Sequence, residues 1–298
     1  MTIIAFIGSV FSPYYAWARR RGQADPRNHC AINVALYGRG GGKRWSLTER
    51  GRDALHQSAE GLSIGPSTVH WDGSTLTVEI RERAAPLPFP VRGTVRISPN
   101  GITQRDFALD EVAGGTGGRH HWWPIAPCAR VEVRMLEPRI AWTGHGYLDM
   151  NAGDQPLEQG FLGWDWSRTD LGGETAILYD TRTPAGGGRS IAVGIGADGS
   201  VRDIPSPPRV PLPATAIWRI GRGTRCEPGL RAQVERTLED TPFYARSLVH
   251  TQILGCPVTA MHESLQLTRF ASPWVQLLLP FRMPRIARPL GQKAATRP

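Results

Sequence analysis

Lysine is almost missing from this chain. Lys43 and Lys293 are its two copies, so 35 basic residues less 2 leaves 33 arginines. These are scattered along all 298 residues rather than gathered in a stripe. The formal charge of +9 therefore lacks the concentrated basic face that nucleic acid requires. An arginine-for-lysine bias can reflect genome composition, yet a diffuse positive surface still attracts anionic lipid headgroups, at roughly 1 kcal/mol per well-placed basic residue. Cysteine is scarce as well. Cys30, Cys128, Cys226 and Cys256 lie far apart with no CxxC pair, which excludes the usual zinc spacing and a secreted disulfide framework. No uninterrupted apolar run approaches the ~20 residues of a spanning helix. Met1–Gly8 is apolar but short, without a basic leader or a cleavage site. The expectation is a cytoplasmic, reduced chain that does not span a membrane.

Turn-formers are abundant, with Gly 34 and Pro 25, against an ordinary 40% hydrophobic and 20% charged composition. That balance suits many short strands better than a helical bundle. Asp72-Gly73 between Thr68–His70 and Thr75–Ile80 is a strong hairpin signal, and Asp198-Gly199 repeats it between Ile191–Ile195 and Val201–Ile204. Alternating runs recur at Ala31–Tyr37, Arg92–Ile97, Ala129–Met135, Ile140–Asp149 and Thr175–Tyr179, while Pro13–Arg21 reads as the helical piece. The fold class is all-β, a sandwich or barrel. Prolines cluster in Ile204–Pro213, which reads as a linker. A domain boundary is expected there: 1–204, then a smaller β unit 205–290, then a disordered tail 291–298.

The stretch GHGYLDMNAGD, Gly144–Asp154, puts His145, Tyr147 and Asp149 on one face of an extended strand. Trp142, Gly144, Gly146 and Leu148 take the other face. About 25 residues earlier, RHHWWPIAP has His120 and Trp122 sharing one face and His121 and Trp123 the other. Neighbouring strands would pool His120, Trp122, Tyr147 and Asp149 in one pocket. The plainer reading makes the tryptophans core and Asp149 a turn cap before Asn151-Gly153. A zinc site from His120, His121 and His145 is the competing sharp reading, but adjacent histidines diverge on a strand and no HxH or HExxH pattern is present. GRGGGK, Gly38–Lys43, lacks the phosphate-loop spacing and reads as a hairpin tip, and Gly115–Gly118 reads as a loop.

Long stretches of the chain resemble the acyclic carotenoid 1,2-hydratases, also called hydroxyneurosporene synthases. They are FIGSVFSPYYAWARRRG (Phe6–Gly22), DPRNHCAINVALYG (Asp25–Gly38), RWSLTERG (Arg44–Gly51), HHWWPIAPCARVEV (His120–Val133), GHGYLDMNAGDQPLE, WDWSR (Trp164–Arg168), RTLEDTPFYARS (Arg236–Ser247) and HESLQLTRFASPWVQLLLPFRMPR (His262–Arg285). The resemblance reaches to about Leu290. It implies two tandem lipocalin-like β units, a fold shared with fungal Diels–Alder cyclases, and catalysis by an H-x-W pair and a Y-x-D pair. The second pair falls on Tyr147 and Asp149. HHWW allows two registers, and the family's W-x-P-I-A-P run anchors the first pair at His120 and Trp122. Trp142, His145, Trp164 and Trp166 are the implied substrate-binding residues, with no metal among the ligands.

The implied reaction adds water to the terminal C1=C2 bond of an acyclic carotene, neurosporene or lycopene, in the spheroidene and spirilloxanthin pathways. Protonating an isolated alkene needs a carboxylic acid that is still protonated near neutrality, which burial favours. Asp149 is the expected acid, Trp122 and Tyr147 the aromatic wall for the tertiary cation, and His120 the group that positions water or accepts its proton. Hydration changes no overall oxidation state, so no cofactor is expected. The substrate dissolves in lipid, so the protein is expected at the periphery of the inner or intracytoplasmic membrane. Trp274–Arg285 is either an interfacial segment or a C-terminal core strand. Other carotenoid-pathway enzymes are implied partners. A non-catalytic lipocalin-like carrier and a pericyclase or isomerase on the same fold stand as rivals.

Overall fold

A computed structural model describes residues 1–22, 24–38, 43–110 and 118–286. The glycine-rich tip at 39–42, most of the 115–118 loop and the tail 291–298 lie outside the described residues. The chain forms two compact units. One comprises Met1–Arg96, Glu132–Thr143 and Gln276–Pro298, and the other Ile97–Val131 and Gly144–Val275.

In the first unit, the apolar run of Cys30–Tyr37 makes a strand buried along almost its whole length. Thr2–Ile7 and Lys43–Leu47 pair antiparallel with it. The expected helix is present as Pro13–Arg20, where Ser12 Oγ accepts from the amides of Tyr14 and Tyr15 and a proline opens the first turn. The Asp72-Gly73 turn also forms as read, joining strands Ser67–Trp71 and Leu76–Arg83. Asp72 accepts from the amides of Ser74 and Thr75, and Gly73 takes φ +95, a value that side-chain-bearing residues avoid. The C-terminal stretch expected as strand or interfacial segment is helical over Pro273–Leu278 and continues as a 3₁₀ turn, Leu279–Phe281.

The second unit is organised by a seven-stranded antiparallel sheet. Its order is Val201–Asp203, Ser190–Gly196, Glu174–Arg182, Gly163–Asp170, Cys256–Gln266, Tyr244–Ile253 and Gln233–Asp240. Gly163–Asp170 is central, laddered to Glu174–Arg182 on one side and Cys256–Gln266 on the other. The division into units therefore differs from the expected linear split at 204, because segments on both sides of that position share one sheet. The proline-rich stretch is not a free tether. Arg209–Leu212 pairs with Arg222–Arg225 as a two-stranded ribbon. Arg209 reaches the buried Asp165, and Arg225 grips Asp180 through two hydrogen bonds of 2.7 and 2.6 Å. Every sheet runs as an open path rather than a closed ring, so the sandwich half of the sandwich-or-barrel expectation describes it. The four cysteines are free thiols.

Candidate active site around Asp149

His120–Glu137 is a single 18-residue strand, so RHHWW opens the same strand that was expected only from Ala129. Ile140–Gly153 pairs with it. Alternation decides which side chains turn inward. His120 and Trp122 are 2% and 0% exposed, whereas His121 opens to solvent beside Asp106. Facing Trp122 from the neighbouring strand are Tyr147 and Asp149, and three polar groups converge there. Trp122 Nε1 donates to Asp149 Oδ2 at 3.1 Å and lies 3.3 Å from the Tyr147 hydroxyl. Tyr147 Oη donates to the same Asp149 Oδ2 at 3.0 Å. Asp149 Oδ1 has no partner among the described residues.

Asp149 keeps part of its surface open, yet its carboxyl is enclosed by protein atoms on nearly all sides. Burial lifts its pKa to about 6, against the opposing pull of the Tyr147 and Trp122 hydrogen bonds; the charge of Glu263 raises it further and that of Arg246 lowers it. The same burial, with Asp149 beside it, pushes the Tyr147 phenol well above its ordinary value. Tyr147 therefore stays a hydroxyl donor at any working pH.

An aromatic wall surrounds the trio. Trp122 packs on Phe107 at 5.3 Å, its register partner on the adjoining strand, and edge-on against Tyr179 at 5.5 Å. Tyr147 lies 5.4 Å from Trp166 and carries the Arg168 guanidinium 5.1 Å from its ring centroid. Trp164 continues the wall, 6.0 Å from both Tyr179 and Phe161. Trp164, Trp166 and Arg168 share one face of the central strand by the period-two rule. Trp166 pairs across the ladders with Tyr179 and Glu263, and Glu263 in turn with Arg246.

His120 shares Trp122's face but is bound elsewhere. Its Nδ1 lies 2.8 Å from Asp110 Oδ2, its backbone amide donates to Asp110 Oδ1, and its Nε2 lies 3.3 Å from the Gln155 carbonyl. Burial acts to raise the Asp110 pKa, but the His120 hydrogen bonds and charge outweigh it and the net shift is downward. Both ring nitrogens are thus engaged, one by the Asp110 carboxylate and one by the Gln155 carbonyl. The ring fits because two neighbours lack a Cβ: one built at Gly153 or Gly160 would come within 2.5 or 2.7 Å of it.

Two other expected residues are not brought here. His145 is exposed to solvent in the interior of its strand, paired with Asp170 at 3.1 Å, and Trp142 is 40% exposed and belongs to the other unit. The three histidines of the zinc reading thus point apart, and among the described residues no three His, Cys, Asp or Glu side chains gather as metal ligands. A cavity of about 340 Å³ lined by His121, Trp123, Asp106, Gln104 and Met150 opens on the reverse face. Its histidine and indole are engaged: His121 binds Asp106 and the Gly118 carbonyl, and Trp123 Nε1 binds Thr103. The reverse face is therefore a poor candidate for the chemistry, despite its room. Sequence reasoning missed Phe107, Asp110, Tyr179, Arg246 and Glu263. Tyr179 and Glu263 sit in alternating strands, but nothing local separates them from other inward residues.

The sequence profile of the carotenoid hydratase CrtC family matches residues 3–290. The chain is 57% identical over 286 residues to an acyclic carotenoid 1,2-hydratase of Thiocapsa roseopersicina, covering 96% of this chain and 69% of that protein. A protein of the same name from Cereibacter sphaeroides is 40% identical over 284 residues, covering 95% of this chain and 98% of its own. Among solved structures, an AttH protein of Nitrosomonas europaea superposes with a TM-score of 0.55 at 13% identity, over 80% of this chain and 85% of that one. That likeness speaks to the fold alone.

Proposed function

Because the chain belongs to the carotenoid hydratase CrtC family, we propose that it adds water across the terminal C1=C2 bond of an acyclic carotene such as neurosporene or lycopene, with Asp149 as the acid. The observation that carries this reading is the Asp149 carboxyl: its pKa stands near 6, two donors occupy one oxygen, and the other oxygen has no partner among the described residues. With Trp122 and Tyr147 both donating to Oδ2, the proton of the neutral acid belongs on Oδ1, the oxygen left for substrate. Transfer to C2 generates a tertiary cation at C1. General-acid help of this kind is worth roughly 10²–10⁴ in rate. The same two donors then stabilise the carboxylate that remains, so they act where charge develops.

Trp122 and Tyr147 enter this mechanism mainly as hydrogen-bond donors, since Arg168 already lies over the Tyr147 ring. The aromatic surface for the cation falls to Trp166 and Tyr179 with the Trp122 ring, at up to ~2 kcal/mol per well-placed face in a dry site. His120, held by Asp110 and Gln155, serves as a positioning residue that fixes the strand beginning at Trp122's neighbour. Trp164 extends the apolar wall along the polyene. Hydration moves no electrons between substrate and protein, so the chemistry calls for no redox cofactor. Among the described residues no helix is long and apolar enough to cross a membrane. Trp274, Leu277 and Phe281 are 49%, 72% and 76% exposed, which supports reversible contact with the lipid surface where carotenes dissolve.

Incubating the purified protein with lycopene in H₂¹⁸O tests the proposal. A hydratase yields a tertiary alcohol carrying ¹⁸O. A carrier returns lycopene unchanged, and an isomerase or pericyclase gives product without the label.

A further inference from the structure

Proton delivery is half of a hydration. The attacking water must also lose a proton, and both ring nitrogens of His120 are already engaged, by Asp110 and the Gln155 carbonyl. The opposite wall supplies a group with a free acceptor. Glu263 is the cross-strand neighbour of Trp166, so both side chains rise from the same face of the sheet, the face that Tyr147 meets at 5.4 Å. Its charge is felt at both Asp149 and Tyr179. One carboxylate oxygen, Oε1, is gripped by Nη2 of the buried Arg246, which also lies 3.7 Å from Glu239. Oε2 has no partner among the described residues, and the Glu263 side chain keeps 21% of its surface accessible. Beside it, Trp166 is 8% exposed, and its indole Nε1–H has no hydrogen-bond partner among the described residues. A buried N–H that no protein group engages is available to donate to a bound oxygen.

The geometry points to Glu263 as the base that takes a proton from the attacking water, with Arg246 holding the carboxylate in place and the Trp166 N–H offered to the water oxygen. This rests on the hydratase reading above. In the step, the Asp149 Oδ1–H bond breaks and the C1=C2 π pair forms the new C2–H bond. A lone pair of water then closes on C1, and the bonding pair of one O–H stays on oxygen as its proton passes to Glu263 Oε2. Turnover leaves Asp149 ionised and Glu263 protonated, and exchange with solvent restores both. Acid and base then stand on different strands, Asp149 on Ile140–Gly153 and Glu263 on Cys256–Gln266.

Because the two half-reactions use different carboxyls, they can be separated experimentally. Detergent-dispersed lycopene is incubated in D₂O over a range of pD from roughly 4 to 6, because losing the Glu263 charge lowers the Asp149 pKa. Alcohol formation and deuterium in the recovered alkene, lycopene and its terminal double-bond isomer together, are both measured. In Glu263→Gln the cation still forms but captures water poorly and collapses to alkene. Asp149 would retrieve the deuteron it delivered, so the collapse that leaves label at C2 is loss of a proton from a C1 methyl. Alcohol should fall about 100-fold while deuterium wash-in persists, so the ratio of exchange to hydration rises at least about tenfold. Glu263→Asp keeps the charge opposite Arg246 but withdraws the carboxylate by one methylene. It should shift the ratio in the same direction and serves if the glutamine variant melts early. Alcohol formation at the wild-type rate, or exchange and hydration falling together at constant ratio, overturns the assignment. Absence of alcohol from the wild-type protein would instead refute the hydratase reading itself.

Discussion

Replacing Asp149 with asparagine should make this protein more stable and nearly inactive. The folded carboxyl titrates near 6 rather than at its ordinary 3.8. A group with a raised folded pKa contributes its stability below the unfolded value and loses it as pH rises through the folded one. Two pKa units correspond to about 3 kcal/mol at roughly 1.36 kcal/mol each. At pH 8 the wild-type protein bears that cost in full, because it must keep an ionised carboxyl beneath Trp122 and Tyr147. At pH 4 the cost shrinks to ~0.5 kcal/mol. Asparagine keeps an oxygen for both donors and never ionises. Its thermal midpoint should therefore exceed wild type by roughly 5–10 °C at pH 8, at about 2–4 °C per kcal/mol, and converge on it near pH 4. Scanning fluorimetry across that range reads the difference, with hydration lost by about 100-fold or more at every pH. A midpoint gap that does not depend on pH, or an asparagine variant less stable than wild type at pH 8, refutes the raised pKa and with it the reason for choosing this acid.

Hydration of lycopene by the wild-type protein should decline as pH climbs past about 6, since the acid is then ionised; a flat profile to pH 8 would count against Asp149. Tyr147→Phe removes one of the hydrogen bonds that hold the Asp149 pKa down, so that alkaline limb should move to higher pH while the maximal rate drops roughly tenfold; an unmoved limb would contradict the contact. His120→Ala should cost far more activity than His121→Ala, because the first empties a buried slot against Asp110 and the second trims an exposed side chain; the reverse order would put the chemistry on the Trp123 face. Serine at Trp274 and Phe281 should lower activity on liposomal carotene more than on detergent-dispersed carotene, and anionic vesicle binding should weaken with salt; equal losses in both formats would locate docking elsewhere.

Much of the site was legible because strands make parity readable. Alternation put Trp122 with His120, and Tyr147 with Asp149, and the resemblance chose that register over His121 and Trp123. The hydrogen bonds to Asp149 join Trp122 to the second pair, while His120 is held by Asp110. Parity gives a face but not a depth. His145 has the parity of Tyr147 and yet stands exposed to solvent, paired with Asp170. The opposite wall was illegible for a different reason. Trp166, Tyr179, Glu263 and Arg246 form a row only because strands distant in sequence pair in one register, and nothing local announces that register. The proline-rich stretch misled by composition. Its backbone signals a linker, but its arginines reach Asp165 and Asp180, so long-range charge pairing tied down what local chemistry described as loose.

The grip on Asp149 has a consequence for handedness. Tyr147 and Trp122 both hold Oδ2, so the carboxyl cannot turn over to offer its two oxygens in alternation. If Asp149 is the acid, the proton leaves from one oxygen, along one direction, toward whichever side of the flat alkene is turned to it. Carbon 2 of the alcohol would then bear two hydrogens that are chemically alike but of distinct origin. Run in heavy water, the reaction should therefore write a stereocentre into a methylene: a single CHD configuration at C2, set by the one alkene face turned to Oδ1.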